Sequence, residues 1–274
     1  MKKNFLKIVS MVAALVLAVG VLGGCGGGAD NTNEDAKGDD KTEATQKGNE
    51  DSLQVLTMAT NAEFKPFEYL EGEKIVGADI DIANVIADRL GYKLEISNID
   101  FDAALTGVVT GKYDIAVAGI TATEERKPNM NFTNSYFKAS QSIIVKSGSA
   151  IKGKADLKGK TIACQEGTTG EQYLLENNYN IQSFKTAPEA VSALKAGKVD
   201  AVIIDNAVAK ALSAEQNGAT VVLSEALTEE EYAIALKKGN DELTEKINKV
   251  LEEIKADGTL KEIFDKYELT YDAE

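Results

Sequence analysis

The chain has 274 residues, 43% of them hydrophobic and 27% charged, with a formal charge of −14, which is the balance of a globular protein with material for one large domain or two ordinary ones. Acidic residues number 44 against 30 basic ones, so the basic footprint of a nucleic-acid binder is missing. With no histidine at all, His-paired nucleophiles and His-ligated metals are excluded, and two cysteines as far apart as Cys25 and Cys164 do not make a zinc cluster.

The chain opens with Lys2, Lys3 and Lys7 ahead of an apolar run from Ile8 to Leu22. That run falls short of the roughly 20 residues that span a bilayer and reads as a secretory signal over residues 1–24. Leu22-Gly23-Gly24-Cys25 resembles a bacterial lipoprotein signal, which implies cleavage before Cys25 and a diacylglycerol on its thiol. A two-chain lipid group is a stable tether, so an extracytoplasmic protein held on the outer face of the cell membrane is expected. Residues 26–52 contain no aromatic residue and no Val, Ile or Leu. With Cys25 they form a solvated leash that buries no core. Cys164 then stands alone in the folded part, where a lone cysteine is most simply a small buried hydrophobe.

From residue 53 short apolar stretches alternate with amphipathic ones. The pattern predicts strands at 53–60, 93–97, 114–118, 142–145, 161–164, 201–204, 220–223 and 233–236. Helices are predicted at 79–90, 102–110, 169–177, 188–196, 207–215, 241–256 and 260–267. The first has Ile82, Ile86 and Leu90 on one stripe and Gly91 to end it. Strands separated by helices imply an α/β fold with largely parallel sheets. Residues 102–119 also echo residues 188–205. Gly111, Lys112 and Asp114 align with Gly197, Lys198 and Asp200, and the strand ends Gly119 and Asp205 fall opposite each other. A generic αβ unit accounts for the echo, and so do two similar lobes whose strand ends face a shared cleft.

Three segments carry a family resemblance: ATNAEFKPFEY at 59–69, GADIDIANVIADRL at 77–90 and AGITATEER at 118–126. Together they resemble bacterial extracellular solute-binding protein family 3, the binding proteins of polar amino-acid ABC importers. Ala78 departs from the larger apolar residue usual at its place. The resemblance implies a two-lobe, periplasmic-binding-protein-like (type II) α/β fold, with lobe 1 at 53–138 plus 232–274 and lobe 2 at 139–231. Two hinge strands would cross near 136–140 and 229–233. It also implies a monomer that captures a polar L-amino acid by lobe closure and delivers it to a membrane permease with its ATPase. No cofactor, metal or catalytic residue is implied. The same fold also serves as a ligand-sensing domain acting through a partner and, less often, as a lyase. The missing histidines weigh against the lyase.

A free amino acid is a zwitterion, so its site needs a clamp for each charge. Arginine occurs only at Arg89 and Arg126, and the resemblance gives Arg126 the α-carboxylate, which a guanidinium holds with two parallel hydrogen bonds. Surface pairing with Glu124 or Glu125 is the plain alternative. Ala118, Gly119 and Thr121 lie on the same gripping segment, with Thr121 and the Gly119 backbone as further donors. Asp205 matches the ammonium acceptor, and its place is also a good helix N-cap. Thr168 suits either a cap or a carboxylate-facing helix start. Phe64 and Phe101 match positions that sandwich the ligand's side-chain stem, though ordinary core packing explains them too. Asn61 and Gln165 stand at side-chain-contacting positions, and with Glu63, Asp102 and Glu166 nearby they leave the preferred side chain open.

Overall fold

The computed structural model describes residues 53–270. The expected signal at 1–24, Cys25 and the leash to residue 52 lie outside the described residues. In chain order come β1 (Gln54–Thr60), a small antiparallel meander of β2 (Glu63–Phe64), β3 (Glu68–Glu71) and β4 (Lys74–Val76), then α1 (Ala78–Leu90), β5 (Tyr92–Asn98), α2 (Phe101–Thr110), β6 (Ile115–Ala116) and β7 (Met130–Phe132). β8 (Phe137–Ala139) leads to β9 (Gln141–Lys146), β10 (Thr161–Gln165), α3 (Thr169–Glu176), β11 (Asn180–Phe184), α4 (Ala187–Lys195), β12 (Ala201–Asp205), α5 (Asn206–Ala214) and β13 (Thr220–Val222). β14 (Glu230–Tyr232) returns the chain to β15 (Ala235–Lys237), α6 (Asp241–Ala256) and α7 (Thr259–Lys266).

Two five-stranded sheets result, in the orders β5-β1-β6-β15-β7 and β11-β10-β12-β9-β13. In each, the first three strands run parallel and the last two pair antiparallel. Since the fifth strand turns back to the direction of the first three, the expectation of largely parallel sheets holds for four strands of each five. Only the fourth strand of each order runs the other way, β15 after the chain returns through β14 and β9 where it first arrives through β8.

The internal echo is structural. α2 and α4 both end on a left-handed glycine, Gly111 at φ 75° and Gly197 at φ 73°, a conformation that costs glycine nothing. Three residues later an aspartate clasps the neighbouring strand. Asp114 N–H donates to Thr57 O at 3.1 Å and its Oδ2 accepts from Thr57 N at 2.9 Å. Asp200 makes the same pair with Thr161, at 2.8 and 2.9 Å. β6 and β12 so occupy the same central place in their sheets.

Burial follows the periodicity that predicted the helices. Ile82 and Ile86 of α1 and Ile247, Leu251 and Ile254 of α6 are fully buried, packed with Leu56 and Met58 of β1. On the opposite face Ala59 meets Ala104 and Val108 of α2. Each large aliphatic side chain buried in this way contributes about 1.5–3 kcal/mol. Cys164 is wholly buried, and burial pushes its thiol up to about 11.

β8 and β14 cross between the sheets as an antiparallel pair, Phe137 opposite Tyr232 and Ala139 opposite Glu230. Phe67 packs edge-on to both Phe137 and Tyr232, with centroids 4.9 and 5.1 Å away. The start of α1 presses against the same segment. Gly77 has φ 134°, and a Cβ there would run into the Phe67 carbonyl. That close approach fixes the stretch carrying Phe64, Phe67 and Glu68 beneath the strand ends.

Candidate functional site

A small, largely enclosed cavity lies between the two sheets. It sits at the C-terminal ends of the central parallel strands, where open α/β sheets place ligands. All ten residues singled out in the sequence line it. Asn61 follows β1, Phe64 lies in β2, Phe101 opens α2, and Ala118, Gly119, Thr121 and Arg126 follow β6. Gln165 ends β10, Thr168 caps α3 and Asp205 ends β12. Glu68 and Thr169 line it as well.

Arg126 does not pair with its acidic neighbours. Lys127 takes Glu124 at 2.5 Å. The Arg126 guanidinium instead donates to Thr121 O and, across the cavity, to Gly167 O, both at 2.9 Å. It lies over the Phe101 ring at 5.6 Å, within cation–π range. Of five guanidinium N–H groups, three stay available. Burial lowers its pKa while Glu230 and Asp205 raise it, and an arginine remains charged throughout.

Asp205 occupies the N-cap position of α5, but its side chain makes no cap hydrogen bond. Its Oδ1 accepts from Tyr232 Oη at 2.5 Å. Burial, with Glu230 adding to it, pushes Asp205 up to about 7. Thr168 does cap its helix: the hydroxyl accepts from Glu171 N at 3.3 Å and donates to Gln165 O at 2.7 Å.

Two expected donors are engaged elsewhere. The Gly119 N–H goes to Asp79 Oδ2 at 2.8 Å, and the Thr121 hydroxyl goes to Glu230 Oε2 at 2.7 Å. Glu230 also receives the hydroxyls of Thr169 and Thr228. Residues from both sheets therefore meet on this one carboxylate of a crossing strand.

At another part of the wall, Asn61 and Gln165 bridge the sheets: Gln165 Nε2 donates to Asn61 Oδ1 at 2.9 Å and to Lys185 O at 3.2 Å. Asn61 Nδ2 donates to Ile99 O at 3.1 Å. Since a backbone carbonyl accepts only, these contacts fix both amide orientations. Gln165 Oε1 is left buried with no partner. Glu63, Asp102 and Glu166 are not part of the cavity lining, and Glu166 pairs with Lys185 at 2.6 Å.

The profile of the bacterial extracellular solute-binding proteins, family 3, matches residues 56–270. The chain belongs to that family. It is a binding protein rather than an enzyme, from a family of extracellular proteins, and among the described residues no helix is long and apolar enough to cross a membrane. Among its family relatives, the ABC transporter glutamine-binding protein GlnH of Bacillus subtilis (strain 168) is 34% identical over 97% of both chains. The arginine-binding extracellular protein ArtP of the same organism is 33% identical over 82% of this chain and 90% of its own. An ancestral arginine-binding protein solved bound to glutamine is 44% identical, with a TM-score of 0.74 over 78% of this chain and 97% of its own. This family member also carries features its sequence did not single out. Glu68, Thr169, Glu230, Tyr232 and Asp79 are all buried or cavity-lining. Glu68 and Asp79 sit inside the family motifs, and an acid flanked by Phe67 and Tyr69 was the available signal.

Proposed function

We propose that this solute-binding protein captures a polar L-amino acid between two lobes and hands it to an ABC permease with its ATPase. One observation carries the reading: Arg126, with N–H groups to spare, and Asp205, with no cap to make, reach the same cavity from opposite sheets. Arg126 holds the α-carboxylate and Asp205 the α-ammonium. Phe64 and Phe101 flank the stem. The lobes divide at 53–138 plus 232–270 and at 139–231, with β8 and β14 as hinge strands. The Asn61–Gln165 end offers a partnerless acceptor, Gln165 Oε1, beside the second N–H of Asn61 Nδ2. It favours a side chain ending in N–H groups, an amide or a cation, over a carboxylate. The names of GlnH and ArtP, a glutamine and an arginine binder, agree with that class. The protein acts as a monomer, tethered through a lipid on Cys25.

A thermal-shift screen of the twenty amino acids with cystine and ornithine tests the reading, because a ligand bound only by the folded form raises Tm. A rise with glutamine, arginine or another N–H-terminated amino acid is expected, and none with glutamate. No rise with any of them overturns it.

A further inference from the structure

Four carboxyl side chains are buried in and beneath the cavity: Glu68, Asp79, Asp205 and Glu230. Three are well supplied with donors. Asp79 receives the Tyr136 hydroxyl at 2.9 Å and the Gly119 N–H. Asp205 receives the Tyr232 hydroxyl, and Glu230 receives three threonine hydroxyls. Glu68 receives nothing. It is 1% exposed, and neither of its oxygens accepts a hydrogen bond from any described group, yet it lines the cavity.

An ionised carboxylate without partners in such a place is costly, so it takes up a proton or a cation. The proton has a natural home, because Glu68 lies near enough to hydrogen-bond to Asp79 when protonated. Around it stand Asp79 from α1, Tyr136 ahead of β8 and Asp205 at the end of β12, whose own partner is Tyr232 from β14. Arg126 and Glu230 act on Asp205 across the same space. The only guanidinium of the cavity is thus shared among several acids, and it is committed to the opposite charge of the ligand.

We infer that Glu68 is a second acceptor for the ligand's α-ammonium group, beside Asp205, and that capture of the amino acid expels one proton from the Glu68–Asp79–Asp205 cluster. The inference rests on the amino-acid reading of the cavity. An ammonium group brings three N–H donors, of which Asp205 takes one, and the two partnerless oxygens of Glu68 are the unused carboxylate acceptors of the lining. The entering cation replaces the proton that neutralised the cluster in the ligand-free protein. Charge and hydrogen balance: one ammonium arrives, one H⁺ leaves to solvent, and Glu68 becomes a carboxylate. Burial raises the pKa of Glu68, Asp79 and Asp205 alike, which keeps that proton in place near neutral pH until the ligand comes.

The test is calorimetric titration of the full protein with L-arginine and L-glutamine at pH 6.5, in two buffers of different ionisation enthalpy. The expected result is about one proton released per amino acid bound, with Kd rising about tenfold for each unit of pH lowered toward 5.5. In Glu68→Gln, checked for folding by thermal melting, the amino acids bind at least about tenfold more weakly at pH 7.5 and both the proton release and the pH slope shrink. No proton release from the unmodified protein overturns the inference, and so does a Glu68→Gln variant with unaltered affinity and slope. Should the variant fail to fold, the proton count of the unmodified protein decides. Failure of every amino acid to bind the unmodified protein is a different outcome, since it removes the reading of the cavity itself and the inference with it.

Discussion

Arg126 and Asp205 matter for what their partners leave unused. Arg126 is oriented by two backbone carbonyls and stacked on Phe101, so its remaining donors point from a fixed frame. Arg126→Ala is expected to weaken amino-acid binding at least about 100-fold with the fold intact, the scale of two charge-assisted hydrogen bonds. Calorimetry and circular dichroism check both halves, and unchanged affinity refutes the role. Arg126→Lys keeps the charge and loses the planar fork, so it recovers little. Asp205→Asn keeps the shape and the Tyr232 contact site, and a drop of about tenfold or more is expected. A variant that binds as before would leave Asp205 a structural residue. The buried acids also set the protein's own pH response. Asp79 and Asp205, pushed up to about 6 and about 7 in the folded state, return to about 4 on unfolding. Between those values the folded state holds more protons than the unfolded one, so stability falls as pH rises through the window. The ligand-free protein is expected to melt higher at pH 5 than at pH 8, by scanning calorimetry, with the difference reduced in Asp205→Asn. Exposed Asp257, lowered to about 2 by Thr259 and Arg89, acts only below this window. A melting temperature that rises steadily from pH 5 to 8 contradicts the assignment.

Among the elements, the contact between α1 and the meander is the tightest constraint near the site. Gly77→Ala sets a Cβ against the Phe67 carbonyl at φ 134°. A loss of about 3 kcal/mol is expected, lowering Tm by about 6–12 °C, and a thermal melt within 1–2 °C of the unmodified protein, about the spread of a neutral change, contradicts it. The elements legible in the sequence were those with strong local signals. α1 shows its stripe of Ile82 and Ile86 and stops at Gly91, and β1, β10 and β12 are apolar runs. The strands that escaped lack such signals. β2, β3, β4 and β7 have two to four residues each, shorter than any period can register. β11, an edge strand reading NIQSF, has no residue fully buried and so shows no apolar pattern. At the site, Arg126 and Asp205 were legible because charge and position suffice. The burial of Glu68 and Glu230 was not, because an acid reads as surface until the crossing strands and the aromatic group around Phe67 enclose it.

For the molecule as a whole, the two sheets share one plan and touch through Asn61–Gln165 and Arg126–Gly167 at the cavity and through the exposed pair Lys65–Glu215 outside it. The exposed pair contributes at most about 1 kcal/mol. Closure therefore depends on the ligand's differential affinity for the closed form. Small-angle scattering is expected to show a smaller radius of gyration on adding L-arginine or L-glutamine to the ligand-free protein, and an unchanged radius with saturated binding would remove closure from the mechanism. The family explains the architecture, and the cavity's chemistry explains the preference for a dipolar guest. The most direct measurement is a crystal structure with the tightest-binding amino acid. The expected result places its carboxylate within about 3.2 Å of the Arg126 guanidinium and its ammonium within about 3.2 Å of Asp205. An amino acid bound outside this cavity, or touching neither side chain within it, contradicts the central claim.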